Sequence, residues 1–171
     1  MTPGADILVV DDEVNIRGAL VTLLEKKGHR VRGAGTGEEA LEQLEVAAAD
    51  LVMTDLKMPG MGGMEFLRRL KGKWPDTEVV VMTAYGSIDT AVEAMRCGAY
   101  DYLTKPIDRE RFPFVVEKAL ERHVAPVYVR KQIEENKNVL TTLENQAANF
   151  VDEVQKVREV DHVVAGHLRP A

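Results

Sequence analysis

Four short strand-like runs in this chain each end in a residue able to take part in chemistry, and that pattern narrows the fold. Residues 7–10 (ILVV) lead into Asp11 and Asp12, 51–54 (LVMT) into Asp55, 79–82 (VVVM) into Thr83, and 101–104 (DYLT) into Lys105. Read as strands of a parallel α/β sheet, they open at their carboxyl ends into one crevice, the place where such sheets bind ligands. Three carboxylates, a hydroxyl and an ammonium are therefore expected to meet there.

That inventory suits phosphoryl transfer, in which positioning and charge neutralisation matter more than covalent help. Asp11 and Asp12 suit a hard divalent cation such as Mg²⁺, which takes one or two carboxylates together with waters and phosphate oxygens. Asp55, alone at the end of a different strand, is placed to attack phosphorus as the nucleophile. Thr83 and Lys105 are placed to bind phosphoryl oxygens. Any one of these residues taken singly reads as a solvated polar group at a strand end; the argument rests on all of them occupying matching ends.

Between the strands run helical patterns, the signature of βαβ units. A first helix over about 13–27 carries Val14, Ala19, Leu20, Leu23 and Leu24 near helical spacing, with Gly28 as its stop. The second strand, 29–34, is short and polar, as suits an edge. Thr36 with Glu39 three residues on has the capping-box spacing that starts a second helix. The turn cluster at 58–63 leads into a third helix over 64–71. Ser87 offers an N-cap for a fourth helix ending near Gly98, and Asp108 one for a fifth. Pro113 lies early in that fifth pattern, so the helix either begins near it or has a distorted first turn. The order of elements implies a doubly wound, flavodoxin-like (βα)5 sheet with strand order 2-1-3-4-5.

Residues 1–123 account for this domain, and 124–171 differ in character. Beyond Pro126 the chain has no Gly or Pro until Gly166. Alternating steps of four and three pick out Val129, Ile133, Asn136, Leu140, Leu143, Ala147, Phe150, Val154, Val157, Asp161 and Val164. This heptad seam predicts a C-terminal helical extension, a coiled-coil tail or linker that needs a partner helix. The partner is expected from a second copy, giving a homodimer or higher homo-oligomer, or from a fold-back hairpin near Asn145 and Gln146. Asn136 and Asp161 are polar seam positions of the kind that fix register.

The motifs VVDDE (9–13), TDLKMPGMGGMEFL (54–67) and MTAYGSIDTAVEAMRCGAYDYLTKP (82–106) together resemble the receiver domains of two-component response regulators, most closely those of nitrogen-regulatory, sigma-54 activator type. The resemblance spans roughly residues 5 to 123. It implies that Asp55 is phosphorylated, that Asp11, Asp12 and Asp55 with the backbone carbonyl of Lys57 bind Mg²⁺, and that Lys105 contacts the phosphoryl group. It further implies Thr83 and Tyr102 as a switch pair, a cis peptide before Pro106, and a sensor histidine kinase or phosphotransfer protein as phosphodonor. The face formed by the fourth helix, fifth strand and fifth helix is then the surface that changes.

Composition sets limits. A formal charge of −6 and a pI near 5.3 give no electrostatic reason to bind DNA or an anionic membrane. Residues 124–171 hold six Lys/Arg against seven Asp/Glu, so no direct DNA binding by this chain is expected. No GxxxxGK[ST] run marks an ATPase domain in this stretch. The single Cys97 excludes an internal disulfide and suits packing, and the four histidines are too scattered for a zinc site. The start MTPGAD lacks a secretory pattern and no apolar run approaches a membrane span, so a cytoplasmic protein is expected. An aspartyl-phosphate phosphohydrolase is disfavoured, because dehalogenase-type phosphatases place the nucleophile on the first strand with a second Asp two residues on. A structural adaptor that merely carries an oligomerising helix is disfavoured by the complete set of site residues.

Overall fold

A computed structural model of the chain describes residues 4–84 and 86–166; within the last helix it leaves out the side chains at 125–128, 130–134, 136, 140, 154 and 157–166. Five parallel strands, β1 (Asp6–Val10), β2 (Arg30–Ala34), β3 (Leu51–Asp55), β4 (Glu78–Thr83) and β5 (Asp101–Thr104), form one sheet in the order β2-β1-β3-β4-β5. Five helices alternate with them: α1 (Val14–Lys26), α2 (Gly37–Val46), α3 (Gly63–Lys73), α4 (Ile88–Arg96) and α5 (Arg111–Gly166). Fold class and strand order are those expected.

Successive strand side chains point to opposite faces, so each apolar run feeds two cores. Ile7 and Val9 join Leu51, Met53, Val80 and Met82 beneath α1 and α5, where Leu24, Phe112, Val116 and Leu120 close the layer. Leu8 and Val10 join Val52, Val79 and Val81 beneath α2, α3 and α4, against Leu44, Phe66, Leu67, Leu70 and Ala94. Cys97 packs against this second cluster. Each fully buried aliphatic or aromatic side chain contributes roughly 1.5–3 kcal/mol. Exposed ion pairs such as Arg69 to Glu65 contribute about 0–1 kcal/mol each. The two apolar layers therefore hold the sheet.

Helix starts follow the local sequence. Thr36 Oγ1 accepts the Glu39 amide at 3.1 Å, while Glu39 Oε2 reaches back to the Gly35 amide at 2.7 Å, one residue beyond the usual reciprocal partner. Ser87 Oγ accepts the Thr90 amide at 3.1 Å and caps α4. Asp108 Oδ1 accepts the amides of Glu110 and Arg111 at the start of α5. Pro113 is the third residue of that helix, where its missing N–H would have no intrahelical partner. Of the two alternatives at Pro113, the helix that begins beside it is the one observed.

The sheet edges are also managed. Arg30 on edge strand β2 makes two hydrogen bonds to Asp6, at 2.8 and 2.6 Å. Arg32 donates to the carbonyls of Gln43, Ala47 and Ala48 at the end of α2. At the other edge, β5 has only four residues.

One alternative for the tail needs correction. Contacts divide the chain into Met1–Pro126 and Val127–Ala171, yet helical residues run without a break from Arg111 to Gly166. Pro126 therefore does not interrupt the helix: it removes one backbone donor, but its fixed φ is itself helical. Nor is there a hairpin, since every residue from 141 to 150 is helical through Asn145 and Gln146. Among the described seam positions Val129, Leu143 and Phe150 are 54%, 54% and 67% exposed, so the helix leaves this apolar stripe uncovered. The side chains of Ile133, Asn136, Leu140, Val154, Val157, Asp161 and Val164 lie outside the description.

One polar cluster ties α5 to the amino ends of the strands. His123 places Nε2 3.0 Å from Asp50 Oδ1 and Nδ1 2.9 Å from the Asp76 carbonyl oxygen. Both partners only accept, so the ring satisfies both of them when each nitrogen carries a proton, an arrangement that favours the imidazolium. The Asp50 hydrogen bond raises the His123 pKa against an opposing effect of burial, with the Asp76 carbonyl and the charge of Glu78 assisting. The same His123 bond lowers the Asp50 pKa, and Asp50 Oδ2 also accepts the Asp6 amide at 2.8 Å. A raised histidine pKa contributes stability that is complete below the unfolded value, ~6.5, and is lost as pH rises through the folded value. A lowered carboxylate pKa contributes stability that is complete above ~3.9 and is lost as pH falls through the folded value. The stability gap between the native chain and His123→Ala should therefore be widest between about pH 4 and 6.5 and shrink at higher pH. Urea unfolding across this range measures it, and a gap that grew with pH would contradict the imidazolium assignment.

Candidate functional site

Strand register aligns the reactive residues. Val10 pairs with Thr54, Asp55 with Met82, and Thr83 with Thr104, so Asp11, Asp55, Thr83 and Lys105 all emerge at the same edge of the sheet. Backbone bonds continue the ladder past the strands: Asp11 N–H to the Ala34 carbonyl, Leu56 N–H to that of Met82, and Lys105 N–H to that of Thr83.

At the centre of the site Lys105 Nζ lies 2.7 Å from Asp11 Oδ2 and 2.8 Å from Asp55 Oδ2, with Glu13 Oε1 farther off at 3.5 Å. The Asp11, Asp55 and Lys105 side chains are 0%, 7% and 7% exposed, so this is a buried triad and its charges are poorly screened. Burial opposes the ammonium charge, but the hydrogen bonds it donates to Asp11 and Asp55 outweigh it and hold the Lys105 pKa above the ordinary lysine value. Each carboxylate has its other oxygen engaged as well: Asp11 Oδ1 accepts the Glu13 amide at 2.9 Å and Asp55 Oδ1 the Lys57 amide at 3.1 Å.

Asp12 is exposed beside the triad, and carboxylate oxygens of Asp11, Asp12 and Asp55 all lie within 4.8 Å of one another. Three carboxylates face one ammonium, which leaves the cluster with excess negative charge. Hard oxygen donors in that number fit a divalent cation such as Mg²⁺.

Packing around the site explains its rigidity. A Cβ on Gly63 would lie 2.2 Å from the Asp55 carbonyl oxygen and 2.6 Å from Leu56 Cα, so only glycine lets α3 start this close to the end of β3. Glu38, in the first turn of α2, accepts the Met61 amide at 2.9 Å and steadies the loop between β3 and α3. Sequence reasoning gave neither residue a part in the site; Glu38 reads there simply as an acid in the first turn of a helix. Thr83 is buried at 1% exposure, and Tyr102 is partly buried against the core beneath α4. The Lys105–Pro106 peptide is cis, as expected.

Residues 7–117 match the model of the response regulator receiver domain family. The chain belongs to that family. Similar curated proteins include the transcriptional regulatory protein ZraR of Klebsiella oxytoca, 44% identical over 115 residues, or 67% of this chain and 26% of the relative. Another is the regulatory protein AtoC of Escherichia coli K12, 40% identical over 71% of this chain and 26% of the relative. The chain thus spans about a quarter of the length of these curated relatives. Among solved structures, NtrX from Brucella abortus in complex with ATP is 39% identical with a TM-score of 0.70, over 74% of this chain and 29% of that one. The beryllofluoride-activated NtrC4 receiver domain dimer is 37% identical with a TM-score of 0.66, over 69% of this chain and 98% of that one. NtrX and NtrC4 bear out the resemblance to receivers of nitrogen-regulatory type. Among the described residues of this receiver, no helix is long and apolar enough to cross a membrane.

The buried triad makes a direct prediction for the receiver. Lys105→Met leaves Asp11 and Asp55 buried without a counter-charge, which should destabilise the protein by about 3–5 kcal/mol in a chelating buffer. Adding Mg²⁺ should recover more stability in the variant than in the native protein. Thermal unfolding with and without the cation measures both, and an equal gain in the two proteins would contradict the electrostatic account.

Proposed function

We propose that this receiver is the phosphoacceptor of a two-component phosphorelay, with Asp55 as the phosphorylated residue. The observation that carries the reading is the buried Asp55 carboxylate, whose two oxygens are held by the Lys57 amide and the Lys105 ammonium beside a second acidic pair. An Asp55 oxygen attacks the phosphorus of a phosphohistidine on a sensor histidine kinase or phosphotransfer protein. As the P–O bond forms, the P–N bond breaks and its electron pair returns to the imidazole. Asp11, Asp12 and Asp55, with the Lys57 carbonyl, would hold Mg²⁺, which when bound offsets negative charge on the phosphoryl oxygens. Lys105 and Thr83 supply the protein's own contacts to those oxygens, so Lys105 exchanges carboxylate partners for phosphoryl ones.

Output then runs through Thr83 and Tyr102. Thr83 turns towards the phosphoryl group, Tyr102 follows, and the face made by α4, β5 and α5 changes between two arrangements. The uncovered stripe of Val129, Leu143 and Phe150 supports assembly of the chain into a homodimer or higher homo-oligomer through its last helix. The NtrC4 receiver is itself described as a dimer, which supports a self-associating role. The acidic balance of the chain supports partners that are proteins rather than DNA or membrane.

Asp55→Asn should abolish labelling by a small phosphodonor such as acetyl phosphate, and chelation of Mg²⁺ should abolish it in the native chain. Intact-mass analysis checks this; one acid-labile phosphoryl group on the Asp55→Asn protein would remove Asp55 from its role. Deleting residues 127–171 should leave a folded domain that still accepts phosphate, because all five strands and the acidic site lie before Pro126. The same deletion should lower the mass of the assembly in light scattering. A native chain that stays monomeric at all concentrations would refute assembly through the tail.

A further inference from the structure

Tyr102 places its phenol oxygen in a buried position with no hydrogen-bond partner among the described residues, an arrangement that needs a cause. The ring packs against the core beneath α4, one strand away from Val81, its register partner on β4. Burial raises its pKa, and the charge of Asp55 adds to the effect. With no internal bond to fasten the phenol, shape alone keeps it there.

That shape is made by Gly86, in the loop between β4 and α4. A Cβ on Gly86 would lie 2.2 Å from Tyr102 Oη, 2.8 Å from Cε1 and 2.9 Å from Cζ. Backbone conformation does not explain the glycine, because Gly86 is not among the residues with positive φ, which are Gly4, Gly28, Gly60 and Gly98. An alanine could adopt its backbone. Gly72, by contrast, has nothing within 4 Å of an added Cβ. The missing side chain at 86 is therefore used by Tyr102.

We propose that Gly86 is a positioning residue for Tyr102: the gap left by its absent side chain is the seat of the phenol, and a single methyl there turns the ring out. The contacted atoms are the far end of a side chain free to rotate about χ1, so the ring can yield where the backbone of Gly86 would have to shift as a whole. The phenol has no hydrogen bond to lose and would gain bonds to water outside, so only packing in the seat opposes the outward position. The seat rests on geometry; its signalling consequence rests on the reading of Thr83 and Tyr102 as the switch. In that reading Gly86→Ala removes the seated position from the two that Tyr102 exchanges between, while Asp55, Lys105 and the acidic pair are untouched.

The test uses the full chain labelled with tyrosine ¹³Cζ, with the Tyr102 signal identified by its loss in Tyr102→Phe. In the native protein Tyr102 should titrate above the ordinary tyrosine value of about 10, and in Gly86→Ala it should fall to that value. Gly72→Ala serves as the control and should leave the titration unchanged. Each protein is then treated with acetyl phosphate and Mg²⁺, and its assembly followed by light scattering. Gly86→Ala should accept phosphate to the native extent yet lose the phosphorylation-dependent change in mass. A Tyr102 that keeps its raised pKa in Gly86→Ala overturns the seat. A Tyr102 that is expelled while the assembly response stays native upholds the seat and removes Tyr102 from the relay.

Discussion

Two buried carboxylates that share one ammonium are the constraint around which this receiver is built. Asp11 and Asp55 end neighbouring strands, and without Lys105 between them their charges would repel in a region that water barely reaches. The ammonium must come from the far side of β4, which requires β5 to lie in register with it. Register in turn depends on the apolar alternation of each strand, because a slip of one residue would exchange the two cores. The polar site and the apolar layers thus specify one another.

The proposed chemistry uses the same constraint a second time. An ammonium already bound to the nucleophile's carboxylate lies near the place where phosphoryl oxygens arrive, so it needs little travel to meet new charge. Gly63 and Glu38 keep the adjoining loop from relaxing away, the first by close approach and the second by a hydrogen bond to Met61. The reacting end of β3 is therefore stiff, while Tyr102, with no hydrogen bond at its hydroxyl, is held only by packing.

Much of this was legible in the residues alone. Short apolar runs and their polar endings were enough for the sheet order and for the meeting of Asp11, Asp12, Asp55 and Lys105, because strand ends in parallel sheets converge whatever the loops do. Contacts between residues distant in sequence and without a motif were not legible. Lys105 was expected at phosphoryl oxygens, and only the geometry shows it bridging Asp11 to Asp55. His123 gave no signal, since its partners Asp50 and Asp76 come from other elements. Gly86 carries no signal in the sequence, because what marks it is the Tyr102 ring against it.

The arginines of β2 carry a consequence of their own. A parallel sheet ends in rows of unpaired amides and carbonyls, and such rows invite another chain to add a strand. Here Arg30 and Arg32 place guanidinium groups along one rim, and the opposite rim is a strand of four residues. Both rims are poor templates for continuing the sheet into a neighbouring molecule. Copies of this protein can therefore crowd together without zipping edge to edge.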